Sequence, residues 1–132
     1  MKIINLNTSR KTEFLEVTSL IQRVIEKEEV EQGICYLFVP HTTAGLTVNE
    51  NADPTVVRDI LVSLNALVPF EDDYRHLEGN SAAHIKASLM GSSLSLIVEN
   101  GKLVLGTWQG IFFCEFDGPR SRKLHVEIIG KS

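Results

Sequence analysis

The sequence predicts one α+β domain over residues 1–132, in which mixed, mostly antiparallel β-sheet layers pack with two or three helices. A chain of 132 residues with 43% apolar content is long enough to enclose one hydrophobic core and too short for two. Helical and strand-like periodicities alternate through the first two thirds of the chain, and strand-like segments fill the last third. This order of elements is typical of the α+β class.

The first third of the chain predicts two short strands, a helix and a central strand. Residues 2–8 and 14–17 have strand character, and apolar residues recur at helical spacing over 20–25. We expect Gly33 to end that helix, since glycine is the usual residue there. The run 34–40 is continuously apolar, which predicts a strand buried on both faces.

A second helix has clear signals at both ends. Asp53 is suited to cap its N-terminus, Pro54 fits its first turn, and Pro69 ends it. The apolar residues between Val56 and Leu64 form a stripe that we expect to pack on the core.

The last third predicts a third helix followed by an antiparallel meander. The helix is expected to begin near Asn80 or Ser81 and to end before Gly91. Asn100-Gly101 is a hairpin signal. The predicted strands are 94–98, 103–108, 111–116 and 124–129.

Composition excludes several classes of protein. A formal net charge of -4 and a pI near 5.5 argue against a nucleic-acid partner, because such proteins concentrate Lys and Arg. Cys35 and Cys114 lie in apolar runs without a Cys-x-x-Cys pair, so we interpret them as reduced core residues. The absence of a signal-peptide pattern or a run of membrane-spanning length predicts a cytoplasmic protein without membrane contact.

Three of the four histidines lie in polar runs, at places where binding groups commonly cluster. His41 follows the predicted central strand, His76 lies in a loop, and His84 lies in the first turn of the third helix. The helix dipole favours the neutral, ligating form of His84. Three neutral imidazoles form an open metal site with a fourth position for water or substrate. The alternative is that each histidine is simply partly buried and hydrogen bonded.

Neighbouring acidic residues and the fourth histidine give different signals. His125 alternates with apolar residues in the last strand, which predicts the solvated face of the sheet. Helix capping alone explains Asp53, and we favour that interpretation over catalysis. Glu50 has no capping partner in the sequence, so it is a candidate to orient a ligand or to move a proton.

Five further residues are candidates for substrate binding. Thr42 and Thr43 supply hydroxyls beside His41, or form an ordinary polar turn. Trp108, between two glycines, offers an aromatic wall for a flat ring, or is a core residue at a sheet corner. Arg120 and Arg122 belong to a turn with three cations in four residues, which suits phosphate recognition or a solvated hairpin tip.

Taken together, these runs resemble the YjbQ family, also called the secondary thiamine-phosphate synthase family. Their joint occurrence in order, between about residues 34 and 130, is more specific than any single motif. The motifs are His41-Thr42-Thr43-Ala44-Gly45-Leu46-Thr47, Asn49-Glu50-Asn51-Ala52-Asp53-Pro54, His76 with Glu78-Gly79, His84-Ile85-Lys86-Ala87-Ser88-Leu89, and Gly106-Thr107-Trp108-Gln109 with Glu115.

The resemblance implies a homotrimer of small α+β domains and a divalent metal, expected to be zinc, at His41, His76 and His84. It also implies that further polar residues line the same pocket, with Lys86 among the groups that act on the substrate. These residues are Glu50, Asp53, Lys86, Arg120 and Arg122.

The activity that the resemblance implies is a transferase reaction of thiamine biosynthesis. It joins a hydroxymethylpyrimidine diphosphate to a thiazole phosphate and releases diphosphate, a step that needs cations on the leaving oxygens. Taken by itself, a three-histidine metal site favours activation of water over ionisation of a diphosphate, so the alternative is a metal-dependent hydrolase of a small phosphorylated or cyclic substrate. A third possibility is a trimer that binds a metal or small ligand without turning it over.

Overall fold

The computed structural model describes residues 1–131, which form eight strands and three helices. This content confirms the predicted α+β class. In chain order the elements are β1 (Lys2–Asn7), β2 (Glu13–Glu16), α1 (Thr18–Glu28), β3 (Gln32–Phe38), β4 (Ala44–Glu50), α2 (Pro54–Leu67), α3 (Ser81–Met90), β5 (Ser93–Glu99), β6 (Lys102–Leu103), β7 (Gln109–Glu115) and β8 (Ser121–Gly130).

The strands form two sheets in which every described pair is antiparallel. The larger sheet has the order β1-β8-β3-β5-β6, and the smaller sheet has the order β2-β7-β4. The smaller sheet pairs Ala44 with Glu115 at one end of β4 and Glu50 with Gln109 at the other. The two ends of β4 are therefore about 20 Å apart, at about 3.3 Å per residue.

The main core lies between the two sheets and includes α1. It joins Cys35 and Leu37 of β3 to Leu46 of β4, Phe113 of β7 and Ile25 of α1. A second apolar cluster covers the other face of β7 with residues of α2 and α3. Its fully buried members are Leu64, Ala83, Ala87, Phe112, Cys114 and Phe116.

The strand that is buried on both faces is β7, not β3 as the apolar run predicted. Side chains of β3 alternate between core and surface, and Ile34, Tyr36 and Phe38 are each 41% exposed in the single chain. No described residue packs over the outer face of the larger sheet, whereas α2 and α3 cover the smaller one. An apolar sequence therefore does not distinguish a covered face from an uncovered one.

Two boundary predictions are also wrong. The first helix ends at Glu28, and Glu29 takes the left-handed conformation (φ 55°) expected of Gly33. Gly33 instead lies in β3, where an added Cβ would meet the carbonyl oxygen of Ile129 at 2.1 Å. The predicted strand over 103–108 is only the pair Lys102–Leu103, because the chain then enters a turn in which the Gln109 amide donates to the Gly106 carbonyl.

Other predictions are confirmed. Asp53 caps α2 by accepting a hydrogen bond from the Thr55 amide, and α3 begins at Ser81. Cys35 and Cys114 are buried free thiols, and burial raises the pKa of Cys35 to about 11. Among residues 1–131, no helix combines the length and apolar character needed to cross a membrane.

Candidate functional site

The first cavity lies between the β3–β4 turn and α3. Its volume is about 390 Å³. His41 and Thr42 line it from the turn, and His84 and Ser88 line it from the helix. His84 and Ser88 are four residues apart on α3, so both side chains lie on one face of the helix. With Ser92, the cavity therefore has two imidazoles and three hydroxyls on its walls.

The second cavity adjoins the first and lies between α3 and the segment that precedes it. Its volume is about 560 Å³, and its walls include Tyr74, His76, Ser81 and His84. The rings of His76 and His84 are nearly perpendicular, with centroids 5.5 Å apart. His84 thus belongs to both cavities and brings the two other histidines into one neighbourhood.

The three imidazoles fit a zinc ion in kind, since zinc prefers nitrogen donors, but they do not form a closed ligand set in this chain. Within residues 1–131, no three His, Cys, Asp or Glu side chains are grouped closely enough to hold one ion. His41 Nε2 accepts a hydrogen bond of 2.9 Å from the Lys123 amide, so the proton of the neutral ring lies on Nδ1. Binding an ion through Nε2 requires His41 to leave that amide.

The charge state of His41 is favourable for ligation. Burial and the positive charge of Arg122 lower the pKa of His41, outweighing the nearby Glu115 carboxylate, which raises it. The ring is therefore neutral at pH 7, as a metal ligand must be.

A buried hydrogen-bonded network lies directly behind His41. The guanidinium of Arg122 forms two hydrogen bonds with the Glu115 carboxylate and donates to Thr43 Oγ1 at 2.8 Å. The Thr8 hydroxyl donates to the same carboxylate at 2.7 Å. The network therefore joins β7 and β8, which belong to different sheets, and connects both to the turn that carries His41.

Glu115 remains ionised in this network. Its burial acts to raise the pKa, but the hydrogen bonds from Arg122, the Asp117 amide and Thr8 outweigh burial and lower it. Glu115 belongs to one of the family motifs, but the motif predicts no role for it. The sequence did contain one signal, a carboxylate inside the apolar run 111–116. A charge buried in such a run requires partners, so this position indicates a buried ion pair.

These contacts correct three expectations about substrate binding. Arg122 is only 5% exposed, and Thr43 is 6% exposed and bound to it, so both serve the network. Arg120 donates to the main-chain oxygen and the carboxylate of Asp117, which makes it part of its own turn. Of the five residues expected to contact substrate, only Thr42 lines a cavity with a histidine.

Lys86 is also outside both cavities. Its side chain is completely buried, donates to Asn65 Oδ1 at 2.6 Å, and lies over the ring of Phe70. Burial, assisted by the charge of Lys11, lowers the pKa of Lys86 to about 8. Lys86 and Met90 lie one turn apart on α3, on a different face from Ser88, which lines the cavity. The motif does not show which face of the helix Lys86 occupies, and for this reason it suggested a contact with substrate.

Glu50, Asp53 and Trp108 lie near the far end of β4. Glu50 accepts a hydrogen bond from the Ala52 amide, and Asp53 caps α2. Trp108 is 63% exposed in the turn before β7, which excludes the core interpretation of this residue. Within one chain, the structure does not bring these three side chains to the histidines.

His125 lies on the outer face of the larger sheet, as predicted, but it is only partly exposed. Its ring is 6.3 Å from that of Phe38, measured between centroids. Because Phe38 is three residues before His41, the outer face of the sheet borders the first cavity.

Fold and site together define a class of small α+β proteins with imidazoles around two adjoining surface cavities. The chain belongs to the family described as UPF0047 protein YjbQ-like, which matches residues 2–131. It is 52% identical over 125 residues to a UPF0047 protein of Methanocaldococcus jannaschii, covering 95% of this chain and 91% of that protein. It is 44% identical over 131 residues to YugU of Bacillus subtilis, covering 98% and 99% of the two chains.

Solved structures of relatives have the same fold. An uncharacterized YjbQ/UPF0047-family protein from Clostridium acetobutylicum is 56% identical, with a TM-score of 0.96 over 98% of this chain and 100% of that one. A protein of unknown function from Sulfolobus solfataricus is 35% identical, with a TM-score of 0.94 over 98% and 96%. The family and its fold are therefore firmly assigned to this chain.

Proposed function

We propose that this protein is a metal-binding enzyme that acts on a small phosphorylated molecule, with His41, His76 and His84 as the ligands of a divalent ion, expected to be zinc. The observation that carries the proposal is the position of His84, which is shared by two adjoining cavities that contain the other two histidines. A zinc ion supplies Lewis-acid polarisation of an oxygen in the substrate.

The residues around the histidines have defined roles in this proposal. Thr42 and Ser88 line the first cavity and offer hydroxyl groups that donate to phosphate oxygens. His41 is neutral and accepts a hydrogen bond from the Lys123 amide, and it would hold the ion once its ring is free of that amide. The network of Glu115 and Arg122 keeps the His41 turn in place, which limits the motion needed for ligation.

The reaction that the family resemblance implies is thiamine-phosphate synthesis, and we retain it as the first candidate. It requires two substrates in adjoining positions, and the two cavities that share His84 match this requirement in number and size. The alternative of a trimer that binds a metal or ligand without turnover requires only one of the two cavities to be occupied.

Hydrolysis of a small phosphorylated or cyclic substrate is the second candidate, and one observation favours it. Departure of diphosphate needs cations, but Lys86 and Arg122 are buried and Arg120 is bound to Asp117. Hydrolysis at a single phosphate or lactone carbonyl makes a smaller demand on side-chain cations. The same histidines serve either reaction.

Metal content tests the shared part of all these candidates. Protein purified with zinc is expected to contain the metal in the wild type and in His125→Ala, and to lose it in His76→Ala. His125 is the matched control because it is the one histidine outside both cavities. Zinc in equal amounts in all three proteins would contradict the proposal.

Turnover then separates the candidates. Diphosphate release from the two thiamine precursors that disappears in His84→Ala supports the synthase. Cleavage of phosphoesters or lactones without synthase turnover supports the hydrolase, and bound metal with neither reaction supports the binding protein.

The homotrimer is also part of the proposal, together with a cytoplasmic location. The outer face of the larger sheet exposes large apolar side chains that a second copy is suited to cover. These are Ile3, Ile34, Tyr36, Phe38, Ile97 and Ile129. Light scattering is expected to give three times the chain mass for the wild type and a smaller mass for Ile97→Asp. A monomeric wild type would contradict this part of the proposal.

A further inference from the structure

The segment between α2 and α3, residues 68–80, carries His76 and forms one wall of the second cavity. It has no helix or strand. Among the described residues, every hydrogen bond of positions 69–79 has its partner within the same segment. Hydrogen bonds therefore attach this wall only at its two ends, where Val68 N donates to the Leu64 carbonyl and Asn80 Nδ2 donates to the Asp117 carboxylate at 3.0 Å. Side-chain packing must hold the part between them.

Phe70 provides the clearest attachment. Its ring lies between two cations, with Lys11 Nζ 4.1 Å and Lys86 Nζ 3.8 Å from the ring centroid. Lys11 belongs to the β1–β2 connection and Lys86 to α3. The ring thus joins the segment to two separate parts of the protein. Cation–π attraction at such distances is strongest where water is excluded, as it is around Lys86.

Lys86 has no carboxylate partner among the described residues. A fully buried ammonium is costly unless polar groups compensate it. Here the compensation consists of the Asn65 carbonyl oxygen at 2.6 Å and the face of Phe70. The contact that helps to compensate the buried charge of Lys86 therefore also holds the ring of Phe70. A neutral side chain of the same length in place of Lys86 would fill the space but would not attract the ring.

We propose that Phe70, held between Lys11 and Lys86, is the anchor of residues 68–80, and that Lys86 is a positioning residue that keeps His76 beside His84. The proposal deepens the proposed function, since it assigns Lys86 a role in building the histidine site rather than in contacting substrate. It concerns the metal-free protein and is testable without any ligand.

Limited proteolysis with trypsin tests the anchor, because Arg75 lies inside the segment and Lys27 lies inside α1. Cleavage after Arg75 reports local opening of the segment, and cleavage after Lys27 reports unfolding of the core. In chelator, Phe70→Leu and Lys86→Met are expected to increase cleavage after Arg75 by about 30-fold, the size of a desolvated cation–π contact. Cleavage after Lys27 is expected to stay at the wild-type rate.

Two further variants sharpen the test. Phe70→Trp keeps an aromatic face and is expected to retain wild-type cleavage, whereas Lys11→Met is expected to give a smaller increase, since Lys11 is exposed. The nuclear Overhauser effect between the His76 and His84 rings is expected in the wild type and lost in Lys86→Met.

Unchanged cleavage after Arg75 in Lys86→Met, or an equal increase at Arg75 and Lys27, would overturn the anchor. Failure of zinc to bind the wild type would overturn the proposed function and leave these chelator measurements as they are. The two proposals therefore fail separately.

Discussion

The two ends of β4 contain similar densities of polar residues and differ in how those residues are bonded. At the Ala44 end, Glu115, Arg122 and Thr8 bond across both sheets behind His41. At the Glu50 end, Glu50 bonds to an amide two residues away, and Asp53 caps the helix that follows.

This difference shows that hydrogen bonds between distant segments distinguish the candidate site from the other end of β4. The number of polar residues does not. A side chain bonded to its sequence neighbours serves the local turn, and any position on the surface permits such bonds. A buried charge that joins distant segments constrains the tertiary structure, as Arg122 and Thr43 do at a separation of 79 residues and Thr8 and Glu115 do at 107.

The largest expected effect is the loss of zinc binding when a histidine near the Ala44 end of β4 is removed. A substitution at the Glu50 end is expected to leave zinc binding unchanged. His84→Ala is expected to weaken zinc binding by at least about 100-fold. This variant loses a metal ligand, which is a larger loss than that of a contact that only supports a ligand. Glu50→Gln is the control and is expected to bind zinc as the wild type does. Isothermal titration with zinc measures both, and a loss in Glu50→Gln would break the distinction between the two ends.

Neutralising Glu115 is expected to cost about 3–5 kcal/mol of unfolding free energy, because Glu115→Gln leaves Arg122 buried without a counter-charge. Chemical denaturation measures the change. The double variant Glu115→Gln with Arg122→Met is expected to recover most of the loss, since the uncompensated charge is gone. Equal stability of Glu115→Gln and the wild type would mean that the network does not hold the two sheets.

The same network predicts a loss of stability in acid. The pKa of Glu115 is lower in the folded chain than in the unfolded chain, so its contribution is complete above about pH 4.3 and is lost as pH falls through the folded value. The difference in unfolding free energy between the wild type and Glu115→Gln is therefore expected to shrink below pH 4. A constant difference from pH 3 to pH 7 would contradict this assignment.

Lys86 predicts a second rise of stability with pH, at the alkaline end of the range. Its folded-state pKa of about 8 lies below the unfolded value, so between pH 8 and about 10.4 the unfolded chain binds a proton that the folded chain does not. The unfolding free energy of the wild type is expected to rise in this range by roughly 1–3 kcal/mol relative to Lys86→Met. Parallel pH profiles for the two proteins would show that burial does not affect the charge of Lys86.

The smallest effect is expected at Trp108. Trp108→Ala removes an exposed side chain and is expected to change the unfolding free energy by no more than about 0.5 kcal/mol, with no effect on zinc binding. Thermal denaturation and zinc titration measure the two quantities. Weaker zinc binding in this variant would indicate that assembly brings the far end of one chain to the histidines of another.

Much of the fold was predictable because local signals decided it. Asp53 and Pro54 begin α2, and Asn100 and Gly101 make their turn with positive φ values of 53° and 73°. The site was predictable in part. His41, His76 and His84 were recognised by their polar surroundings, whereas Lys86 and Arg122 were assigned to substrate because sequence does not tell a buried cation from an exposed one.

The sequence by itself determined most elements of the fold and the family, and it singled out three histidines as candidates, because periodicity, capping residues and motif order are properties of neighbouring positions. It did not predict strand β4. Only the tertiary structure decided that β7 is covered on both faces, that Glu115 neutralises Arg122, and that Lys86 lies against Phe70. These three facts depend on which surfaces meet after distant segments pack. Burial and charge pairing arise at that stage, so no local pattern in the chain records them.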